Sequence, residues 1–199
     1  MRKKTEARRQ SFVQAAGRLF IEQGFGSVTM EAIAAEAGAS KVTLYSYFPG
    51  KEALFEAFVV EAGKGGHEAL VAAKDEMDPQ ASLMRVGMSY LELVTRPDVV
   101  AISRLIIGEA ERQPQLSRIF YENGARHTLL SICSVLGNLM DRGLLRRTEV
   151  RKTGLQFKAL CAAELVERQL WGLDAVPDIR LREAAVRDAI EVFLPAHLP

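Results

Sequence analysis

The segment Thr29–Lys51, TMEAIAAEAGASKVTLYSYFPGK, constrains the fold more than any other stretch of this chain. It reads as a short helix capped by Thr29, a turn at Gly38 and a second short helix capped by Ser40. The stop comes at Phe48-Pro49, because the residue before a proline avoids the helical region. Ile33, Ala34 and Ala37 face inward from the first helix. The second carries little apolar bulk; Ser40, Lys41, Thr43, Tyr45, Ser46 and Tyr47 can instead hydrogen-bond to an external surface. Two short helices crossing at a wide angle need a small residue where they touch and a glycine where the chain reverses, and Ala34 and Gly38 meet both needs. Ile33, Ala37, Leu44 and Phe48 fall where they can anchor the pair to a supporting helix.

Charge divides the chain in the same place. Residues 1–51 hold eight Lys/Arg against four Asp/Glu, whereas the remainder holds eighteen against twenty-one. A basic head on a mildly acidic body suits an N-terminal part that meets phosphates. No run approaches the roughly 18 apolar residues that span a bilayer. The start MRKKTEARRQ has the charge of a signal peptide, but no apolar region follows it. Cys133 and Cys161 each sit in an apolar helical pattern, the usage of a reducing compartment, so a cytoplasmic protein is expected.

The periodicity elsewhere is helical, with no strand-like alternation. Phe12, Ala16, Leu19, Phe20 and Gln23 place one stripe on a first helix from Thr5 to Gln23, ended by Gly24. A fourth helix starts at Lys51, with Leu54, Phe55, Phe58, Val59 and Ala62 on one side. Gly63, Gly65 and Gly66 either kink it or form a loop after it. Asp78-Pro79 marks a boundary, and helices follow at 80–95, 98–112, 115–122, 125–142, 150–172 and 179–194. The expected class is all-α: a helix-turn-helix domain over 1–51, supported by the helix from 51, and a larger helical domain over 52–199.

Residues 8–58 resemble the DNA-binding region of the TetR family of bacterial transcriptional regulators. The stretch Ala37 to Phe55, AGASKVTLYSYFPGKEALF, matches that family's glycine turn, its short recognition helix ending in Tyr-x-x-Phe and its Lys-Glu-x-Leu opening of helix four. Arg104 to Gly124, RLIIGEAERQPQLSRIFYENG, resembles a C-terminal region of members related to multidrug-efflux (AefR-like) repressors. Tyr47 stands where relatives often carry histidine. The resemblance implies that Thr29 and Ser40 meet phosphate oxygens at helix N-termini. Lys41, Val42 and Thr43 would enter the major groove, Lys41 toward guanine O6/N7, Val42 and the Thr43 methyl toward a thymine methyl. Tyr45, Tyr47 and Lys51 resemble the family's phosphate clamps. Arg2, Lys3, Lys4, Arg8 and Arg9 would add diffuse backbone contacts or simply remain solvated.

One recognition helix reads few bases, so the resemblance implies a homodimer whose heads, about 34–36 Å apart, meet successive major grooves of a pseudo-palindromic operator. The dimer would use the helices at 125–142 and 150–172. Leu129, Ile132, Cys133, Leu136 and Leu139 form one stripe and Leu155, Ala159, Ala162, Val166 and Leu170 another, and either can equally be core. The family usually binds a small effector in the body. Residues of mixed apolar and polar character there are Met84, Met88, Tyr90, Leu105, Glu109, Phe120, Tyr121, His127, Phe157, Glu164, Arg168 and Trp171. Each is also an ordinary core candidate, and Glu164 and Arg168 are spaced to pair with one another.

An enzyme is a poor reading. His67, His127 and His197 are far apart, neither cysteine has a CxxC partner, and Pro49-Gly50-Lys51-Glu52 lacks the first glycine and the Ser/Thr of a phosphate loop. No cofactor or metal is expected. The sequence therefore points to a DNA-binding regulator, a repressor released by a small hydrophobic effector. The alternative is a regulator controlled by a protein partner or by its own concentration.

Overall fold

A computed structural model describes residues 5–66 and 78–199, all helical or loop, with no strand among them. The helices are α1 (Glu6–Gln23), α2 (Met30–Glu36), α3 (Lys41–Tyr47), α4 (Lys51–Gly63), α5 (Pro79–Val94), α6 (Pro97–Glu109), α7 (Pro114–Phe120), α8 (Arg126–Asp141), α9 (Val150–Leu170) and α10 (Ile179–His197), with a π turn at Tyr121–Ala125. The Arg2, Lys3, Lys4 and His67 expectations lie outside the described residues. No described helix is long and apolar enough to cross a membrane. Two compact units form, Met1–Ala62 with Ala101–Gly124, and Gly63–Val100 with Ala125–Pro199.

In the first unit the α1 stripe is buried at Phe12, Ala16, Leu19 and Phe20, while Gln23 faces solvent. Phe20, Phe25 and Phe55 form an aromatic cluster with centroids 5.0–6.0 Å apart. Gly17 lets α1 approach α4, since a Cβ there would come within 2.5 Å of the Phe58 ring. The turn after α2 is a Schellman arrangement: Gly38 has φ +59°, and Ala39 N–H reaches back to Ala34 O at 2.9 Å. That geometry is why the turn uses glycine. The Gly63–Gly66 cluster ends α4 rather than kinking it, with Gly65 at φ +77°.

In the second unit α5, α8, α9 and α10 enclose a core that includes Leu83, Val86, Tyr90, Ile132, Leu136, Phe157, Val186 and Phe193. Two glycines bring helices close: a Cβ on Gly154 would meet Cys133 Sγ at 2.8 Å, and one on Gly87 would meet Val186 at 2.6 Å. Asp78 caps α5, its carboxylate accepting from Gln80 and Ala81 N–H at 3.1 and 3.2 Å.

Three elements depart from the periodic reading. α6 stops at Glu109 rather than 112, and α10 runs on to His197 with Pro195 in its last turn, which forgoes the bond to the carbonyl four residues earlier. α9 is not one continuous helix. Ala163 has φ +36° and ψ −132°, a break that no glycine or proline announces.

Candidate nucleic-acid interface

Both helices of the reading head are capped at their N-termini. Ser40 Oγ accepts from Thr43 N–H at 3.1 Å and lies 2.8 Å from Thr43 Oγ1, which sets the first turn of α3. Thr29 Oγ1 does the same for α2, accepting from Ala32 N–H at 3.1 Å. Caps of this kind contribute about 1 kcal/mol each. Leu44 and Phe48 are sunk into the head, whereas Val42 is 82% exposed and Tyr45 45%. A valine so exposed on a seven-residue helix packs little against the described residues. Beside it the Lys41 ammonium contacts the Glu31 carboxylate and lies 5.7 Å from the Tyr45 ring centroid. The hydrogen bond to Glu31 raises the Lys41 pKa, and its partner's is lowered by the same contact.

The remaining two candidates are tied into the frame of the head. The Tyr47 hydroxyl accepts from Thr5 N–H at 3.0 Å, and its ring meets Phe12 edge-on at 5.4 Å. Lys51 donates to Phe25 O at 2.9 Å and Gly26 O at 3.4 Å, with its ammonium 4.6 Å from the Phe25 centroid. That use accounts for a lysine at the start of α4: it secures the loop after α1.

Arg8 has a role the sequence reading did not give it. Its guanidinium donates to Ala37 O at 3.2 Å and Gly38 O at 2.9 Å, and it lies over the Phe12 ring at 5.3 Å. It is a strut for the turn. Arg9 likewise leans on the Phe48 ring at 5.3 Å. Their one-turn spacing before Phe12 and Val13 was the available signal, masked by the run of charge around them.

These features place α2 and α3 as a helix-turn-helix with an outward tip at Lys41–Thr43. Residues 12–58 match the bacterial regulatory proteins of the tetR family, and residues 81–197 match the C-terminal domain of AefR-like transcriptional repressors. The chain belongs to the TetR family. The flavonoid-responsive regulator FrrA is 30% identical, with a TM-score of 0.78, over 98% of this chain and 99% of FrrA. A TetR-family regulator from Mesorhizobium loti MAFF303099 shares the fold at TM-score 0.86 and 24% identity, over 98% of this chain and all of that one. BetI of Rhizobium meliloti (strain 1021) is 33% identical over 129 residues, 62% of this chain and 63% of BetI. An HTH-type transcriptional regulator of Mycobacterium tuberculosis (strain CDC 1551 / Oshkosh) is 37% identical over 93 residues, 46% of each chain. The chain thus spans between about half and under two thirds of the length of these curated relatives. TetR-family names and those of the relatives denote transcriptional regulators, not enzymes.

The TetR-type body distributes the other candidates. Leu129, Ile132, Leu136 and Leu139 are 0–6% exposed, packed in the chain's own core, the second of the two readings left open for this stripe. Burial inside one chain leaves these side chains no surface for a partner. On α9, Leu155 and Ala159 are exposed, and Ala162, Val166 and Leu170 are half-buried. Among the effector candidates, Leu105, Glu109, Phe120 and Tyr121 lie in the first unit and the others in the second. Tyr90 and Phe157 are sealed in the core at 3% and 1% exposure, and burial pushes the Tyr90 hydroxyl pKa up. Met84 and Met88 pack against that core, and Met84 also lines a groove of about 350 Å³ with Arg187, Ile190 and Leu194. Glu164 and Arg168 pair at 3.2 Å, and Arg168 also holds Asp174, closing the loop after α9. His127 and Trp171 are exposed, Trp171 at 67%.

Proposed function

We propose that this chain is a dimeric, sequence-specific DNA-binding regulator, a repressor released by a small hydrophobic effector. The observation that carries the DNA-reading part is the α3 tip: Val42, 82% exposed, stands between Lys41 and Thr43 on a helix anchored by buried Leu44 and by Phe48 just after it. Val42 and the Thr43 methyl suit a thymine methyl, and Lys41 suits guanine O6/N7. Thr29 and Ser40 cap their helices at exposed N-termini that suit phosphate oxygens, and Tyr45 stands exposed beside them. Tyr47 and the remaining hydrogen of Lys51 complete the grip on the backbone.

Dimerisation through the outward faces of α8 and α9, where Leu130 is 52% and Leu155 38% exposed, would set the two heads on one operator. The effector reading is supported by likeness to FrrA, whose name describes it as flavonoid-responsive. Selection of bound fragments from the source genome tests the DNA role and yields the half-site spacing. A thermal-shift panel that includes flavonoids tests the effector, since a bound ligand raises the midpoint by mass action. A selected operator with no shift across a broad panel would favour control by a protein partner or by concentration.

A further inference from the structure

Glu31 is the one acidic side chain in the first turn of α2, and it reaches across to the first turn of α3 to contact the Lys41 ammonium. Both side chains are slightly over half exposed, at 53% for Lys41 and 57% for Glu31. An exposed pair of this kind adds little to folding stability, so its effect must be sought at the surface it faces. The Tyr45 ring, 5.7 Å from the same ammonium, braces it from a second side. Lys41 is therefore a lysine held in place on the part of the head that reads bases.

A lysine on a flexible four-carbon stem is a poor discriminator when left alone. Any phosphate satisfies its point charge, and phosphate contacts carry no sequence information. A carboxylate beside it changes that balance. Swinging Lys41 to a phosphate would leave Glu31 unpaired next to the DNA backbone, where like charge repels it. Keeping the pair intact leaves Lys41 two further hydrogens for the acceptors of a base edge. We propose that Glu31 is a specificity-determining, positioning residue that acts through Lys41, holding the ammonium on base edges and off the phosphates. The inference rests on the DNA-reading role proposed above.

The test uses the full chain with a selected operator duplex and a shuffled duplex of the same length. Wild type, Glu31→Gln, Lys41→Met and the double variant are titrated at two salt concentrations. Glu31→Gln should bind the shuffled duplex more tightly, with a salt slope steeper by about one. The ratio of operator to shuffled affinity should fall by about tenfold, the scale of one lost base contact. Lys41→Met should lose the base preference at one operator position, and Glu31→Gln should lose it at that same position. An unchanged ratio in Glu31→Gln would overturn the proposal. So would an equal change in the Lys41→Met background, because Glu31 would then act by general repulsion and not through Lys41. If wild type selects no operator, the DNA-reading role itself fails, and that outcome is distinct from a wild type that discriminates while Glu31→Gln does so equally well.

Discussion

Arg8 closes the turn of the reading head: its Nη2 donates to the Gly38 carbonyl at 2.9 Å, thirty residues away in the chain. The carbonyls at a helix C-terminus have no partner within the helix, and a guanidinium supplies one with full charge. Arg8→Ala should destabilise the head by about 1–3 kcal/mol. Operator affinity should fall with it, because α3 loses its fixed angle to α2. Arg9→Ala, whose contacts are an aromatic ring and an exposed ion pair with Glu6, should do much less. Denaturant midpoints of the two variants make the comparison.

Lys41→Ala and Tyr45→Ala should each weaken operator binding by about 1–3 kcal/mol while leaving folding and oligomeric state intact. Both side chains are largely exposed and carry none of the head's core. Wild-type affinity should also fall steeply with added salt as counterions are released. Fluorescence anisotropy across a salt series, alongside light scattering, separates a lost contact from a lost dimer. Normal operator affinity in both variants would remove these two residues from the interface.

Substitutions on the two helical stripes should separate by readout. Leu155→Glu, on the exposed face of α9, should shift the protein toward monomer and leave its helical content unchanged. Leu136→Ala lies wholly in the core and should cost about 2–5 kcal/mol of stability whatever the oligomeric state. Sedimentation velocity and thermal melts report the two effects independently. A dimeric Leu155→Glu variant would count against the α9 face.

Ala163→Gly should stabilise the protein, the reverse of the usual sign for this change within a helix. A non-glycine residue at φ +36° stores about 1–3 kcal/mol of strain, and glycine relieves most of it. At neighbouring Ala162, within regular helix, the same change should destabilise by about 1 kcal/mol. Opposite shifts in melting temperature are the signature.

Burial pushes the Cys161 thiol up to about 12 from an ordinary value near 9. The folded state therefore holds this proton more tightly than the unfolded state. The resulting stability is fully present below pH 9 and lost as pH rises toward 12. At about pH 10.5 the loss should reach roughly 2 kcal/mol, and Cys161→Ala should show that much less alkaline destabilisation. Cys133, whose thiol is also raised by burial, should likewise react slowly with thiol reagents in the folded protein.

Much of the head was legible because its signals are local. Thr29 and Ser40 cap the helices they precede, Gly38 takes the positive φ its position implied, and Leu44 and Phe48 are buried as their spacing required. Lys51 and Arg8 were harder. A lysine or arginine at the right spacing looks like a phosphate ligand, and only the backbone carbonyls of Phe25, Ala37 and Gly38 folded around them reveal another use. The α8 stripe shows the same limit: apolar period identifies a buried face but not what buries it.

The sequence by itself determined that the chain is helical, where most helices start and stop, and that a basic helix-turn-helix head precedes a longer apolar body. Those follow from caps, breakers and period, which act over a few residues. Only the tertiary structure decided that Leu129–Leu139 serve the chain's own core, that Arg8 braces the turn, and that Glu31 holds Lys41. The physical reason is that each depends on which groups arrive beside it from elsewhere in the chain. A side chain's chemistry is written in its own position, but its partner is chosen by the fold.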